Sequence, residues 1–279
     1  MTGIGPLLAT ASGVLGSAAE ARTLLAHAAG LEPSRLALLS TVEPAVEDAF
    51  TALVARRAAG EPLQYLTGVA WFRTISVQVE PGVFIPRPET EVMVGWALEQ
   101  LDGLGSNPTV VELCAGSGAI SASIAAERPG CRQFAVELSE SAYQAAVRNL
   151  AGSEVDVRLG DMADAFAELD GQVDLVIANP PYIPLQMWEH VAAEVRAHEP
   201  QIALFSGEDG LDAMRVVAAV AARLLRPGGR VCAEHAEVQS EAVVDVFVGA
   251  GSFIRVADHR DLNDRPRFVT AIRAGNLAG

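Results

Sequence analysis

Val110-Val111-Glu112-Leu113-Cys114-Ala115-Gly116-Ser117-Gly118-Ala119-Ile120 passes from β-branched and apolar residues, through a glycine turn, into small residues of helical character. Residues 110–113 read as a short buried strand and residues 119–127 as the helix that follows it. The same alternation recurs downstream. Residues 134–138 form a second strand pattern, with a helix over 142–150. Residues 155–159, 173–178 and 230–233 are further strands, and helices over 210–225 and 239–248 surround the last of them. Two strand-like segments, 253–257 and 268–272, close the chain. Short apolar strands alternating with helices predict an α/β architecture with a mainly parallel sheet covered on both faces.

Upstream of this domain the texture differs. Residues 1–60 are helical in pattern, with breaks at Gly30-Leu31-Glu32-Pro33 and Thr41-Val42-Glu43-Pro44, where proline opens a new helix. Leu7, Ala11, Val14, Leu15, Ala18 and Leu25 share one helical face, which predicts an amphipathic helix. The first 19 residues carry no charge, yet no Lys or Arg precedes the apolar part and Gly, Thr and Ser interrupt it, unlike a secretory signal. No run of about 18–20 strongly apolar residues follows, so a soluble protein without a membrane span is expected. Residues 63–68 and 72–79 are rich in β-branched and aromatic residues around a glycine and predict a hairpin. Residues 81–88 hold three prolines and predict a turn or extended linker; helix resumes from Glu89. The expected domains are therefore 1–60 (helical), 61–88 (hairpin and linker) and 89–279 (α/β).

Twenty Lys and Arg, all of them arginine, stand against 35 Asp and Glu, for a net charge of −15. That balance opposes a broad, sequence-independent grip on nucleic acid, though a local arginine patch stays open. The three cysteines (Cys114, Cys131, Cys232) lack CxxC spacing and give neither a disulfide framework nor a zinc site, so a reducing cytoplasm is the default. Five scattered histidines offer no metal-ligand pair. No metal is expected.

Ligands of open α/β sheets bind beyond the carboxyl ends of the strands. Three features fall there. The turn Glu112 to Gly118 lets backbone approach a ligand where no Cβ intervenes, although a GxG alone also describes an ordinary strand–helix turn. Glu137 ends the next strand about 20 residues after Gly118, where a carboxylate accepts both ribose hydroxyls; a solvated strand-end acid is the plainer alternative. The full G-x-G-x-x-G is missing, which favours a nucleoside without pyrophosphate. Third, Asn179-Pro180-Pro181-Tyr182 follows the strand over 173–178. It is either a plain loop or a rigid polar hook suited to a planar NH2 group, with asparagine as acceptor and tyrosine as wall.

A strand, a glycine turn, an acidic strand end and Asn-Pro-Pro-Tyr together resemble class I S-adenosylmethionine-dependent methyltransferases with a Rossmann-like sheet. Gly82-Val83-Phe84-Ile85-Pro86-Arg87-Pro88-Glu89-Thr90-Glu91 narrows the resemblance to the HemK/PrmC family of peptide chain release factor N5-glutamine methyltransferases. Glu61 to Gly68, Glu199-Pro200, Gly207-Glu208-Asp209-Gly210-Leu211-Asp212, Arg226-Pro227-Gly228-Gly229 and residues 261–267 fit as well, so roughly residues 60–273 are covered. The resemblance implies S-adenosylmethionine as cofactor and S-adenosylhomocysteine as product. Glu112, Cys114, Ala115, Gly116, Ser117 and Gly118 would hold the methionine part, Glu137 the ribose, and Asp161 and Met162 the adenine. Asn179 and the Pro180 carbonyl would hold the glutamine amide, with Pro181, Tyr182 and Phe84 lining its pocket and Asn179 also reaching the cofactor. The implied catalytic set is Asn179, Pro180 and Tyr182. Arg87, Glu89 and Glu91 would brace the interdomain hinge. Implied partners are class-1 release factors, with the target in their Gly-Gly-Gln tip and the helical domain contributing to docking; a monomer is the default. Stable nucleic-acid binding is not implied.

Three departures stand out. Cys114 replaces the family's usual glycine, so its backbone must avoid positive φ or tolerate strain. Glu112 and Glu137 replace commoner aspartates, and Met162 a frequent aromatic. A ribosomal-protein glutamine methyltransferase, a DNA or RNA adenine N6-methyltransferase and a non-catalytic binding module are the competing functions. The net charge opposes the nucleic-acid substrates, and the intact Asn179 to Tyr182 opposes the non-catalytic module.

Overall fold

The computed structural model describes residues 1–275 and divides into two compact units, residues 1–69 with 192–198 and residues 70–191 with 199 onward. The first unit opens on β1 (Thr2–Gly3), α1 (Ile4–Leu15) and α2 (Ala18–Ala28). Gly16 takes the left-handed φ of +67° and ends α1, and the Ser17 side chain caps α2 by accepting from the Glu20 amide at 3.2 Å. The single amphipathic helix expected over residues 7–25 is therefore two. Ala11 and Leu25 are buried, but the break leaves Val14 58% exposed and turns Ala18 outward. β2 (Thr41–Val42) pairs antiparallel with β1, and α3 (Pro44–Ala58) begins on its proline. Leu24, Leu25, Phe50 and Leu66 form the centre of this unit's core.

Residues 63–68 are not a strand. They form α4 (Leu63–Thr67): the adjacent Tyr65 and Leu66 are both buried, which strand alternation does not provide, Leu66 packs into the core with Leu24, Leu25 and Phe50, and Gly68, at φ +73°, supplies a left-handed cap. The hairpin lies one element later, as β3 (Val69–Phe72) and β4 (Ile75–Gln78). β-branched and aromatic content is shared by both stretches, so composition alone misplaced the first arm.

The second unit continues with α5 (Thr90–Asp102), β5 (Thr109–Leu113), α6 (Ala119–Glu127), β6 (Arg132–Glu137), α7 (Glu140–Asn149), β7 (Asp156–Leu159) and β8 (Val173–Ala178). The short α8 (Ala193–His198) counts with the first unit. α9 (Asp212–Leu224), β9 (Leu225–Glu234), α10 (Ser240–Gly249), β10 (Phe253–Arg260) and β11 (Pro266–Arg273) complete it.

The seven-stranded sheet has the order β10-β11-β9-β8-β5-β6-β7, parallel throughout except for β11, which runs antiparallel to both neighbours. This is the doubly wound, Rossmann-like sheet expected, with a closing hairpin whose second arm slots between β9 and β10. All five residues of β5 are buried, as a central strand covered on both faces requires. α9 presents Met214, Val217, Ala218, Ala221 and Leu224 to the sheet at helical spacing. Burying each large side chain contributes about 1.5–3 kcal/mol. From β5 the chain moves outward through β6 and β7, then returns to β8 on the opposite side. The crevice at the carboxyl ends of β5 and β8 is thus the topological switch point, where such sheets bind ligands. Among the described residues no helix is long and apolar enough to cross a membrane.

Candidate active site

A cavity of about 390 Å³ opens at that switch point, lined by residues from the ends of β5, β6, β7 and β8 and from the 82–90 segment. The volume is in the ~300–1,000 Å³ range of small-molecule pockets. Of the residues singled out from the sequence, Phe84, Glu112, Cys114, Ala115, Gly116, Ser117, Glu137, Asp161, Met162, Asn179, Pro181 and Tyr182 all line it. Two do not. Pro180 is buried and is not part of the lining. Gly118 faces α7, where an added Cβ would lie 3.1 Å from Leu150 and 3.3 Å from Ala146. Its glycine is needed for close helix packing rather than for contact with a ligand.

The turn after β5 carries three left-handed residues in five: Cys114 at φ +60°, Gly116 at +56° and Gly118 at +78°. Cys114 thus tolerates positive φ, which costs an L-residue roughly 1–2 kcal/mol. Its thiol lies 3.5 Å from Met162 Sδ, and burial, with Glu137 beside it, raises its pKa. At Gly116 an added Cβ would meet no protein atom within 4 Å. The Gly116 amide donates to Glu137 Oε2 at 2.8 Å, and the Ser139 amide to Glu137 Oε1 at 2.8 Å, so this carboxylate staples β6 to the glycine turn. Each of its oxygens keeps a second lone pair for a ligand hydroxyl. Asn149, at the end of α7, donates to the Ser117 carbonyl at 2.8 Å and bonds the backbone of Gln78 on β4, tying hairpin and turn together.

Glu112 is 1% exposed. Its Oε2 accepts from the Ser121 amide at 2.9 Å and from the Ser121 hydroxyl, while Oε1 has no partner among the described residues. Burial pushes this carboxyl up to about 8, against the opposing Ser121 bonds. An orphaned carboxylate oxygen at the wall of the cavity fits a cationic group such as an amino acid's ammonium. Asp161 sits exposed at the rim, with Oδ1 accepting from the Ala163 amide at 2.9 Å. Gly116 with open space before it, the Glu137 carboxylate and the Glu112 oxygen together fit a nucleoside that carries an amino acid.

On the facing wall, Asn179 Nδ2 donates to Thr90 Oγ1 at 3.2 Å. The Tyr182 hydroxyl donates to Glu234 Oε1 at 3.3 Å, and Thr90 Oγ1 donates to Glu234 Oε2 at 2.5 Å. The Tyr182 carbonyl accepts from Gln239 Nε2 at 2.8 Å. Phe84 is covered by the Arg87 guanidinium, 4.9 Å from its ring centre, and Arg87 pairs with Glu199. Glu91 accepts from the Arg73 amide at 3.1 Å. Arg87 and Glu91 thus brace the second unit internally, with Glu199 and Arg73 of that same unit.

Sequence reasoning missed Thr90, Glu234 and Gln239. Glu234 carried the signal used for Glu112 and Glu137, an acid at the carboxyl end of a buried strand. The strand expected over 230–233 stopped one residue short of it.

Residues 7–68 match the family described as PrmC N-terminal domain, and residues 75–199 match that described as Methyltransferase small domain. The chain is 51% identical over 265 residues to a release factor glutamine methyltransferase of Streptomyces coelicolor, covering 94% of this chain and 93% of that one. It is 43% identical to one from Mycolicibacterium smegmatis, with the same coverage of each chain. A 4-amino-L-phenylalanine/4-methylamino-L-phenylalanine methyltransferase of Streptomyces pristinaespiralis is 39% identical, covering 95% of this chain and 91% of that one. Among solved structures, a methyltransferase from Pyrococcus furiosus is 16% identical with a TM-score of 0.49, covering 80% of this chain and 98% of that one. With two near full-length relatives at 51% and 43% identity, the chain belongs to the release factor glutamine methyltransferase family.

Proposed function

We propose that this protein transfers a methyl group from S-adenosylmethionine to the side-chain amide nitrogen of the glutamine in the Gly-Gly-Gln motif of class-1 release factors. The observation that carries the proposal is a single cavity joining the glycine turn, Glu112 and Glu137 on one side to Asn179 and Tyr182 on the other. When bound, S-adenosylmethionine supplies an electrophilic methyl on a sulfonium sulfur. Glu112 and the turn would hold its amino-acid end, Glu137 its ribose, and Asp161 and Met162 its adenine.

The chain's own residues address the difficulty of the acceptor. An amide nitrogen shares its lone pair with the carbonyl, as its planarity shows, and is a weak nucleophile. Asn179 Oδ1 accepts one of its N–H bonds, which raises electron density on nitrogen and turns one face toward the methyl donor; the Pro180 carbonyl, expected to take the other, belongs to a residue that does not line the cavity. Tyr182 and Phe84 wall the amide and exclude water. Alignment of this kind contributes about 7–11 kcal/mol at best. The proton leaves nitrogen after the N–C bond forms, so no strong base has to act first. The first unit contributes to docking of the release factor, and the protein acts as a cytoplasmic monomer.

Incubation with S-adenosylmethionine and a class-1 release factor, followed by digestion and tandem mass spectrometry, tests the proposal. One added methyl on the Gly-Gly-Gln glutamine is expected, with the rate reduced about 100-fold in Asn179→Ala and cofactor binding largely intact. Free 4-aminophenylalanine is the competing acceptor. Methyl transfer to it in place of the release factor would overturn the assignment of substrate.

A further inference from the structure

We infer that Thr90 and Glu234 are positioning residues that fix which end of the Asn179 side-chain amide faces the cavity. The inference rests on the role proposed for Asn179. Glu234 closes β9 and Thr90 opens α5; they are 1% and 3% exposed, shut away from bulk solvent. A hydroxyl has one hydrogen. Thr90 gives it to Glu234 Oε2 at 2.5 Å, so its oxygen is left as an acceptor for Asn179. The atom that Asn179 turns toward Thr90 must then be the NH2 group, and Oδ1 must point the other way.

Shape does not make this choice, because the two ends of an asparagine amide are nearly isosteric. Hydrogen-bond polarity makes it. A reversed Asn179 would offer N–H donors to a substrate NH2, donor against donor, and the acceptor that the reaction needs would be lost. The second oxygen of Glu234 accepts from the Tyr182 hydroxyl, so one carboxylate orients both side chains that flank the amide site.

The relay holds while Glu234 is ionised and therefore only accepts. The charged and titratable groups facing it are Arg267 on β11, Tyr182 after β8 and Glu89 ahead of α5. Arg267 is held in turn by Asp261, and Arg87 faces Tyr182. Its chain neighbour His235 turns its ring to the Ala236 carbonyl and Asp258. Burial pushes the Glu234 carboxyl up to about 7, with Arg267 opposing and Glu89 adding to the rise. A protonated Glu234 can donate to Thr90, whose hydrogen is then free to point at Asn179 and release its amide to turn.

The test combines kinetics with a measurement that needs no substrate. Thr90→Val keeps the shape and removes the hydroxyl; Thr90→Ser restores it. Thr90→Val is expected to lower kcat about 10- to 100-fold with KM for the cofactor little changed, and Thr90→Ser to recover most of it. In wild type, kcat should rise as pH increases through about 7, and Glu234→Gln should abolish that step. The NMR signals of the Asn179 Nδ2 hydrogens, assigned by their loss in Asn179→Asp, should show slow exchange above that pH and lose protection below it or in Thr90→Val. Thr90→Ser as impaired as Thr90→Val, or Asn179 signals unchanged by Thr90→Val, would overturn the inference. A wild type that methylates no glutamine would refute the proposed function instead, while the NMR result still decides the relay.

Discussion

Gly210→Ala probes how rigidly the Asn179 to Tyr182 loop is held. Gly210 sits at φ +77°, and a Cβ built there would overlap the Tyr182 carbonyl oxygen, come within 2.7 Å of Gln239 Nε2 and lie 2.9 Å from Pro184 Cδ. Gly152 is its control, with a φ of +87° and no atom within 4 Å of an added Cβ. Both substitutions incur the left-handed penalty of roughly 1–2 kcal/mol, partly offset by about 0.4–1 kcal/mol from a less flexible unfolded chain. Only Gly210→Ala adds overpacking, about 1–3 kcal/mol, and the loss of the Gln239–Tyr182 bond at 2.8 Å, about 0.5–1.5 kcal/mol. The expected destabilisation is about 1 kcal/mol for Gly152→Ala and about 2–5 kcal/mol for Gly210→Ala. At about 2–4 °C per kcal/mol in domains of 150–250 residues, thermal melts of the two variants should differ by several degrees. Gly210→Ala should also lose methyl transfer at temperatures where it remains folded, because the displaced atoms belong to Tyr182 and to Gln239, which holds it. Equal Tm shifts for the two variants would refute the reasoning, since they would mean that the 207–211 loop yields without moving Tyr182.

Two more outcomes follow from the acids of the site. Glu137→Ala removes the acceptor of two backbone amides as well as the proposed ribose contact; bonds to a charged group are worth about 1.5–3 kcal/mol each, so calorimetry should show cofactor affinity at least about 10-fold weaker, and unchanged affinity would exclude the assignment. Glu112 is raised to about 8 and Glu234 to about 7 from an ordinary 4.5. Between about pH 4.5 and 8 each of these two groups holds more proton in the native state than in the unfolded one, so the stability they contribute falls as pH rises through that window. The Glu112→Gln variant should flatten the fall by an amount on the order of a few kcal/mol; a Tm profile identical to wild type would show that Glu112 ionises in the fold as it does unfolded.

What the sequence made legible depended on how local each cause is. The strands β5, β6 and β8 declare themselves through apolar runs that only a doubly covered sheet requires, and their carboxyl ends then locate the crevice. Twelve of the residues picked from those ends line one cavity. Failures came where burial against distant residues, or one backbone conformation, decides. Residues 63–67 hold the same β-branched and aromatic types as the hairpin, and burial of Tyr65 and Leu66 makes them a helix. Gly16 looks like any small residue in a helical run until its φ of +67° splits the run in two. Pro180 belongs to the motif by sequence position, yet it is buried and does not line the cavity. Thr90 lies 144 residues from Glu234 and 89 from Asn179, so no spacing rule pairs them.

Three glutamates stand at the carboxyl ends of three parallel strands, Glu137 and Glu234 as the last residue and Glu112 as the last but one, and their surroundings give them three different capacities. Glu137 is met by two backbone amides and stays available to further donors. Glu112 is buried with one oxygen satisfied by Ser121 and the other orphaned, which suits it to a cation and leaves it costly when none is present. Glu234 is buried with both oxygens taken by hydroxyls, so it serves to polarise Thr90 and Tyr182 in a fixed sense. In the proposed chemistry none of the three acts as a base, because the proton is lost only after the new bond to nitrogen forms. The carboxylates instead decide orientation: Glu137 that of the glycine turn, Glu112 that of a charged ligand end, and Glu234 that of the asparagine acceptor. An acid-to-amide exchange should therefore separate them. At Glu112 and Glu137 it acts on affinity, and at Glu234 on turnover at constant affinity. A loss of turnover in all three with affinity intact would mean that orientation is not what distinguishes them.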